Sequence, residues 1–320
     1  MFRLPSALRF AATVCLVPLM TVQQSFAWGV DGHRMINRLA GSALPTEVPK
    51  FLRSPEGLTA LEYYGPEPDH WRGRTEPELA KASAPEHFLD MEYADMVGTL
   101  PRDRYDFVRA LVPVQAAHPE LPLTAERVGL QPYQTVEVYE RLKSAMRDYR
   151  ALLAAKQDTK PVECEITFLA GWLGHYVADG SMPLHTTIQY NGWTGPNPNG
   201  YTTDHHIHAQ FESEFVAAHV KASDVAPLLA SKPTVLNDVF MDYMTYLRHS
   251  NTLVEKVYQL EKAGAFTGAG TPDGKALAVQ QLAAGATELR NVIYTAWVKS
   301  GDPVPEYHSA MTAAAGAKVQ

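Results

Sequence analysis

Cysteine is nearly absent. The 320 residues hold two, Cys15 and Cys164. Cys15 sits in an N-terminal stretch that reads as a removable leader, so the mature chain keeps one thiol and can form no intrachain disulfide. Exported proteins often gain stiffness from disulfides. Bound metal is one alternative source. Positive charge is not in excess either. The formal net charge is −7, and removing Arg3 and Arg9 with the leader takes it to −9. An acidic chain is a poor general binder of polyanions. A phosphate substrate would need local cations, from side chains or from metals. Beyond the leader, no run is long and apolar enough to span a membrane. Alternating strand patterns and internal repeats are missing too.

The leader has a clear pattern. "MFRLPSALRF" carries two arginines, "AATVCLVPLM" is a short apolar run, and "SFA" offers small residues at Ser25 and Ala27. Residues 1–27 are expected to be a signal peptide cleaved after Ala27, with export to the periplasm or the medium. The competing reading is an N-terminal membrane anchor. Cleavage leaves roughly 290 residues, enough for one large domain over residues 28–303. Residues 304–320, ending "MTAAAGAKVQ", read as a disordered tail.

What is abundant is helical periodicity. Val136, Tyr139, Leu142, Met146, Tyr149 and Leu153 recur at steps of three and four. The same spacing continues from Leu236 to Leu260 in "TVLNDVFMDYMTYLRHSNTLVEKVYQLEKAG". It appears again at Leu282, Ala286, Leu289, Ile293 and Trp297. The expectation is an all-α fold, a single compact multi-helix domain. Three segments resist a helical reading: "YYGPEPDHWRGRTEPE", "LVPVQAAHPELPLTAERVGLQP" and "NGWTGPNPNGYTTD". Long loops of this kind often carry function.

Several residues could carry chemistry. In "HYVADGSMPLH", His175 and Asp179 stand four apart on one helical face. Gly180 and Pro183 should end that helix, with His185 just beyond. The three could ligate one cavity, and imidazole with carboxylate suits zinc. They could also form a buried hydrogen-bond network. In "TTDHHIHAQFESEF", Asp204 is a candidate N-cap, and Ile207, Phe211 and Phe215 make the buried stripe. His208 and Glu212 lie beside that stripe, as a ligand pair or as a surface ion pair. His87 and Asp90 of "APEHFLDMEY", and Asp69 and Arg72 of "GPEPDHWR", are weak signals alone, because loop aspartates usually serve turns. After processing, the Trp28 amine and carbonyl could chelate a metal, with His33 opening the next helix. Trp28 could equally be a packed aromatic, and His33 a surface residue.

Taken together, these pieces resemble the superfamily of zinc-dependent phospholipase C and the single-strand-specific nucleases of the S-one/P-one type. The resemblance rests on "WGVDGH", "EPDHWR", "HFLD", "HYVADGSMPLH" and "HAQFE", in that order across residues 28 to 212. It implies a helical domain with a trinuclear zinc cleft. Asp69, His87, His175 and Asp179 would hold one zinc. The Trp28 amine and carbonyl, His33 and a bridging Asp179 would hold the second. His185, His208 and Glu212 would hold the third. Three dications would outweigh the acidic ligands and dominate the local field.

The resemblance further implies hydrolysis of a phosphodiester by a metal-activated water, with catalytic roles for Asp69, Asp179 and Arg72. Arg72 would neutralise charge that develops in the transition state. Phe88 and Asp90 would stack on and hydrogen-bond an unpaired base, which favours single strands. Two branches compete. "WGVDGH", "HFLD" and Arg72 favour a nuclease on single-stranded nucleic acid or nucleotides. Glu212 and the missing disulfides favour a bacterial phospholipase C acting on phospholipid head groups. Trp193 and Tyr201 are expected to line the region beyond the third zinc, stacking on bases or caging a choline. A third reading is a non-catalytic exported zinc protein. No obligate protein partner is expected.

Overall fold

The computed structural model describes residues 28–73 and 76–304. The expected signal peptide and the expected tail, save residue 304, lie outside the described residues. The described chain is mostly helical, with no strand beyond two isolated bridges, Leu89 with Gly129 and Tyr190 with Gly192. No helix among the described residues is long and apolar enough to cross a membrane.

A central helix, Lys160–Ser181, organises the core. It packs against the first helix Gly29–Ser42, the helix Pro55–Tyr64, the long helix Gln131–Ala154 and the last helix Pro272–Lys299. From Leu169 to Ser181 nearly every side chain is buried, so this stretch is enclosed all round. Leu173, Val177, Ile36, Leu282 and Ala286 have no exposed surface. Each large aliphatic among them contributes about 1.5–3 kcal/mol by leaving water. The polar pair of the central helix, His175 and Asp179, therefore stands among its buried apolar side chains.

Close approach is set by small residues. A side chain at Gly174 would meet the Asn37 amide oxygen at 2.1 Å, so glycine lets the first helix press onto the central one. Trp28, at the head of the first helix, adopts a left-handed φ of 46°, which a bulky residue disfavours. Its indole N–H offsets that strain by donating to the Ala178 carbonyl at 2.9 Å and the Ser181 hydroxyl at 2.8 Å. Gln281 of the last helix donates to the Ser181 carbonyl at 2.7 Å. Tyr243, Tyr246 and Gln131 donate to the carbonyls of Tyr176 and Val177. The end of the central helix is thus held from several sides.

Three expectations need correction. The pattern from Leu236 to Leu260 is not one helix but two, Val239–Asn251 and Val254–Lys262. The break lets the Asn251 amide donate to the Thr186 carbonyl at 2.8 Å, beside the turn that carries His185. The segment from Leu111 onward is not all loop, because the helix Arg104–Ala117 runs through Pro113. Proline removes one N–H there, and the position is exposed, so water can serve the carbonyl left behind. Asp204 is not the N-cap, since the helical segment begins at Ile207 after His206.

Candidate metal centre

Seven elements deliver the polar residues. The first helix brings His33. A short helix, Glu67–Trp71, brings Asp69. A 3-10 turn, Ala84–His87, brings His87. The central helix brings His175 and Asp179, and the 3-10 turn Pro183–Thr186 just past its end brings His185. His208 lies on Ile207–Ala209, and Glu212 on the π-turn Gln210–Phe215 that follows. Such π-turns recur at functional sites. Ile207, Phe211 and Phe215 are buried as expected and fasten this segment to the core.

These eight side chains converge, and none is more than 6% exposed. His33, Asp69 and His175 form one group whose ligand atoms lie within 4.8 Å of one another. His87, His175 and Asp179 form a second, and His185, His208 and Glu212 a third, by the same measure. Asp179 is the hub. Its carboxylate oxygens lie 3.4 Å from His33 Nε2, 3.1 Å from His87 Nδ1, 3.4 Å from His175 Nε2 and 3.8 Å from His185 Nδ1. His33 is buried, not on the surface, and His208 with Glu212 is a buried pair at 3.0 Å, not a solvated one. The residue shared between two groups is His175, where the resemblance implies Asp179.

The histidine tautomers can be assigned from their partners. His175 Nδ1 lies 2.8 Å from the Gly65 carbonyl, His185 Nδ1 2.7 Å from the His87 carbonyl, and His208 Nδ1 2.9 Å from the Tyr190 carbonyl. A carbonyl only accepts, so each Nδ1 carries the proton and donates it. Each Nε2 of these three then presents a lone pair to the groups. His185 Nε2 and His208 Nε2 stand 3.1 Å apart. Two lone pairs at that distance repel unless a proton or a cation lies between them. Backbone support of the far nitrogen is the usual setting of a metal-binding histidine.

Orphaned oxygens point the same way. Asp69 Oδ2, Asp179 Oδ1 and Glu212 Oε1 are buried, with no hydrogen-bond partner among the described residues. A buried carboxylate without a partner is costly. Burial pushes Asp179 up to about 7 and raises Asp69, the latter partly countered by Arg72. Burial pushes His175 down to about 4 and His87 well below the ordinary imidazole value. At the third group burial also opposes charge, but the Glu212 carboxylate outweighs it and raises His208. Glu212 is lowered in turn: its burial is outweighed by His208 and His185. Neutral imidazoles and desolvated carboxylates are the donors that a hard or borderline dication takes. These buried groups can hold a metal ion.

Trp28 joins the site through its main chain. Its N–H donates to Glu212 Oε2 at 3.1 Å, and its carbonyl accepts from Gly32 N–H at 3.0 Å. Its contact is therefore with the third group. Arg72 is half-buried and donates to Asp69 Oδ1. Burial works against its charge, but Asp69, Asp179 and Glu212 outweigh that and hold it cationic.

A cleft of about 520 Å³ reaches His87, His185 and His208, and its walls include Arg72, Phe88, Asp90, Tyr93 and Tyr190. Phe88 is half-buried on this wall instead of lost in the core, and Asp90 is 7% exposed. Burial, with Glu92 nearby, pushes the Asp90 carboxyl up to about 8, so it is largely neutral at pH 7. The "HFLD" segment is pinned by a facing segment: Asp90 N–H donates to the Val128 carbonyl at 2.8 Å and Gln131 N–H to the Phe88 carbonyl at 3.2 Å. Gly129, at φ +94°, makes the approach possible, since a Cβ there would sit 2.1 Å from the Phe88 oxygen. Trp193 and Tyr201 do not line the cleft. They pack on Tyr258, with Tyr201 bonded to Glu255, and form a small core within their own loop. Tyr190 takes the place expected of them, and no motif marked it. Cys164 is exposed and belongs to none of the three groups.

No family model matches the chain, and no curated protein matches it.

Proposed function

We propose that this protein is an exported zinc-dependent phosphodiesterase of the S-one/P-one nuclease type, acting on single-stranded nucleic acid or nucleotides. The observation that supports this most is that the cleft walled by Phe88, Asp90 and Arg72 reaches His87, His185 and His208, which belong to two of the three buried His/carboxylate groups. Asp69, His87, His175 and Asp179 would hold one zinc. Trp28, His33 and Asp179 would hold a second once cleavage after Ala27 frees the Trp28 amine. His185, His208 and Glu212 would hold the third. Bound zinc would supply a water of lowered pKa and a positive field for the phosphate.

The chain's own residues do the rest. Arg72 is poised to accept a negative phosphoryl oxygen, because its guanidinium has further N–H donors beyond the one given to Asp69. Removing such a donor typically costs 10²–10³ in rate. Asp69 and Asp179 balance the charge of the cations and fix the histidines around them. Phe88 offers a face for an unpaired base. Asp90, protonated near neutrality, can both donate to and accept from the edge of that base.

The phospholipase C reading keeps one specific support, Glu212 in the third group. A side-by-side assay decides. Zinc-loaded protein, processed at Trp28, is given single-stranded DNA and RNA, phosphatidylcholine vesicles and bis(p-nitrophenyl) phosphate. Cleavage of the nucleic acids and not the lipid is the expected result. Lipid cleavage alone overturns it in favour of the phospholipase. Stoichiometric zinc with no hydrolysis of any substrate leaves the non-catalytic reading.

A further inference from the structure

Phe88, Tyr93 and Tyr190 all line the cleft, and the nuclease reading uses only Phe88. Tyr190 stands next to the third group, with its ring edge-on to His208 at a centroid distance of 6.2 Å. Tyr190 is 54% exposed. Its exposure is not slackness, because the main chain around it is tied on both sides. The Tyr190 carbonyl accepts from His208 Nδ1–H at 2.9 Å, and the Asn191 side chain accepts from His208 N–H. The Gln189 carbonyl accepts from the Tyr258 hydroxyl, and Gly192 N–H donates to the same hydroxyl at 3.1 Å. Thr194 ties down the Gln189 side chain. Gly192, at φ +97°, leaves no room for a Cβ, which would meet the Thr203 carbonyl at 2.7 Å. Meanwhile the nearby aromatics Trp193 and Tyr201 are spent on packing against Tyr258.

A rigid backbone thus presents one aromatic ring to water inside a cleft. Such a ring loses little freedom when a flat partner covers it. We propose that Tyr190 is a second stacking platform, which takes the unpaired base on the opposite side of the scissile phosphodiester from the base at Phe88. The cleft would then read two consecutive unpaired bases, with the phosphate between them over the metal groups. A duplex cannot splay adjacent bases onto two walls without unstacking them, so the arrangement sharpens the preference for single strands. This inference rests on the nuclease reading.

The test is equilibrium binding to the zinc-loaded protein, by calorimetry, with slowly hydrolysed phosphorothioates. One ligand is a dithymidine phosphorothioate. The other is thymidine carrying a methyl phosphorothioate ester, which lacks the second base. Wild type, Tyr190→Ala and Tyr190→Phe are compared, with phosphocholine as a third ligand. Tyr190→Ala should weaken the dinucleotide roughly tenfold and leave the methyl ester within twofold. Tyr190→Phe should bind both like wild type. Equal weakening of both ligands, or of neither, overturns the proposal. So does a Tyr190→Ala variant that loses phosphocholine but keeps the dinucleotide. A wild type that binds neither thymidine ligand removes the nuclease reading itself, which is a different result. The side chain is exposed, so equal zinc content and melting temperature among the variants is expected and separates a binding effect from a folding one.

Discussion

Replacing Asp90 by asparagine tests the electrostatics of the cleft wall without touching a metal ligand. Asp90 ordinarily titrates at 3.8, and burial with Glu92 nearby pushes it up to about 8. Between those values the folded chain keeps a proton that the unfolded chain has released. Stability is therefore greatest below the unfolded value, is lost as pH rises towards the folded value, and is level above it. The slope is about 1.4 kcal/mol per pH unit. Between pH 6 and pH 8 the loss comes to about 2 kcal/mol, allowing for rounding near the folded value. Asp90→Asn keeps the shape and removes the titration. Urea unfolding of zinc-loaded wild type and variant, at unit steps from pH 5 to pH 9, isolates this one group, since the others titrate in both. The variant should gain about 2 kcal/mol on wild type from pH 6 to pH 8 and little more beyond pH 9. Parallel stability profiles would refute the reasoning, as would a difference that keeps growing past pH 9.

Three other outcomes follow from the geometry. Chelation should lower the melting temperature by roughly ten degrees if the metals were present at about a thousandfold over their Kd; a stripped sample that melts with the loaded one contradicts metal binding to the folded chain. Gly129→Ala should cost roughly 2–4 kcal/mol, from its φ of +94° and the collision with the Phe88 carbonyl; a urea-derived loss under about 1 kcal/mol would mean that the "HFLD" segment shifts freely. Trp28→Phe keeps a ring but loses the indole donor to Ala178 and Ser181, at about 1–2 kcal/mol, and denaturation indistinguishable from wild type would show that those bonds are not what holds the head of the first helix.

Much of this molecule was legible from spacing. The helices Gln131–Ala154 and Pro272–Lys299 follow the apolar period, and Tyr139, Leu142, Met146, Leu282, Ala286, Leu289 and Ile293 are buried in them. His175 and Asp179 share a face because four residues make about one turn. The helix break at Thr252 and Leu253 was not legible, since the apolar period continues across it. The contact made at the break is tertiary and has no local signal: the Asn251 side-chain amide reaches the Thr186 carbonyl beside the His185 turn. Pro113 misled in the other direction, because its exposure lets water serve the freed carbonyl. Trp193 and Tyr201 lie between His185 and His208 in the sequence, which points them at the cleft, and only the position of Tyr258 shows that they pack elsewhere. The carbonyl contacts behind His175, His185 and His208 had no signal at all, because every residue type has a carbonyl.

Main-chain support of the histidines constrains how the protein can change. The atoms that orient three of the histidines are main-chain oxygens of Gly65, His87 and Tyr190, and no substitution deletes a carbonyl. At position 190 one residue carries two separable duties: its backbone steadies His208, while its ring faces the cleft. Selection could exchange that ring for another side chain and alter what the cleft accepts, while the oxygen behind His208 stays where it is. Specificity here can drift on a fixed chemical foundation.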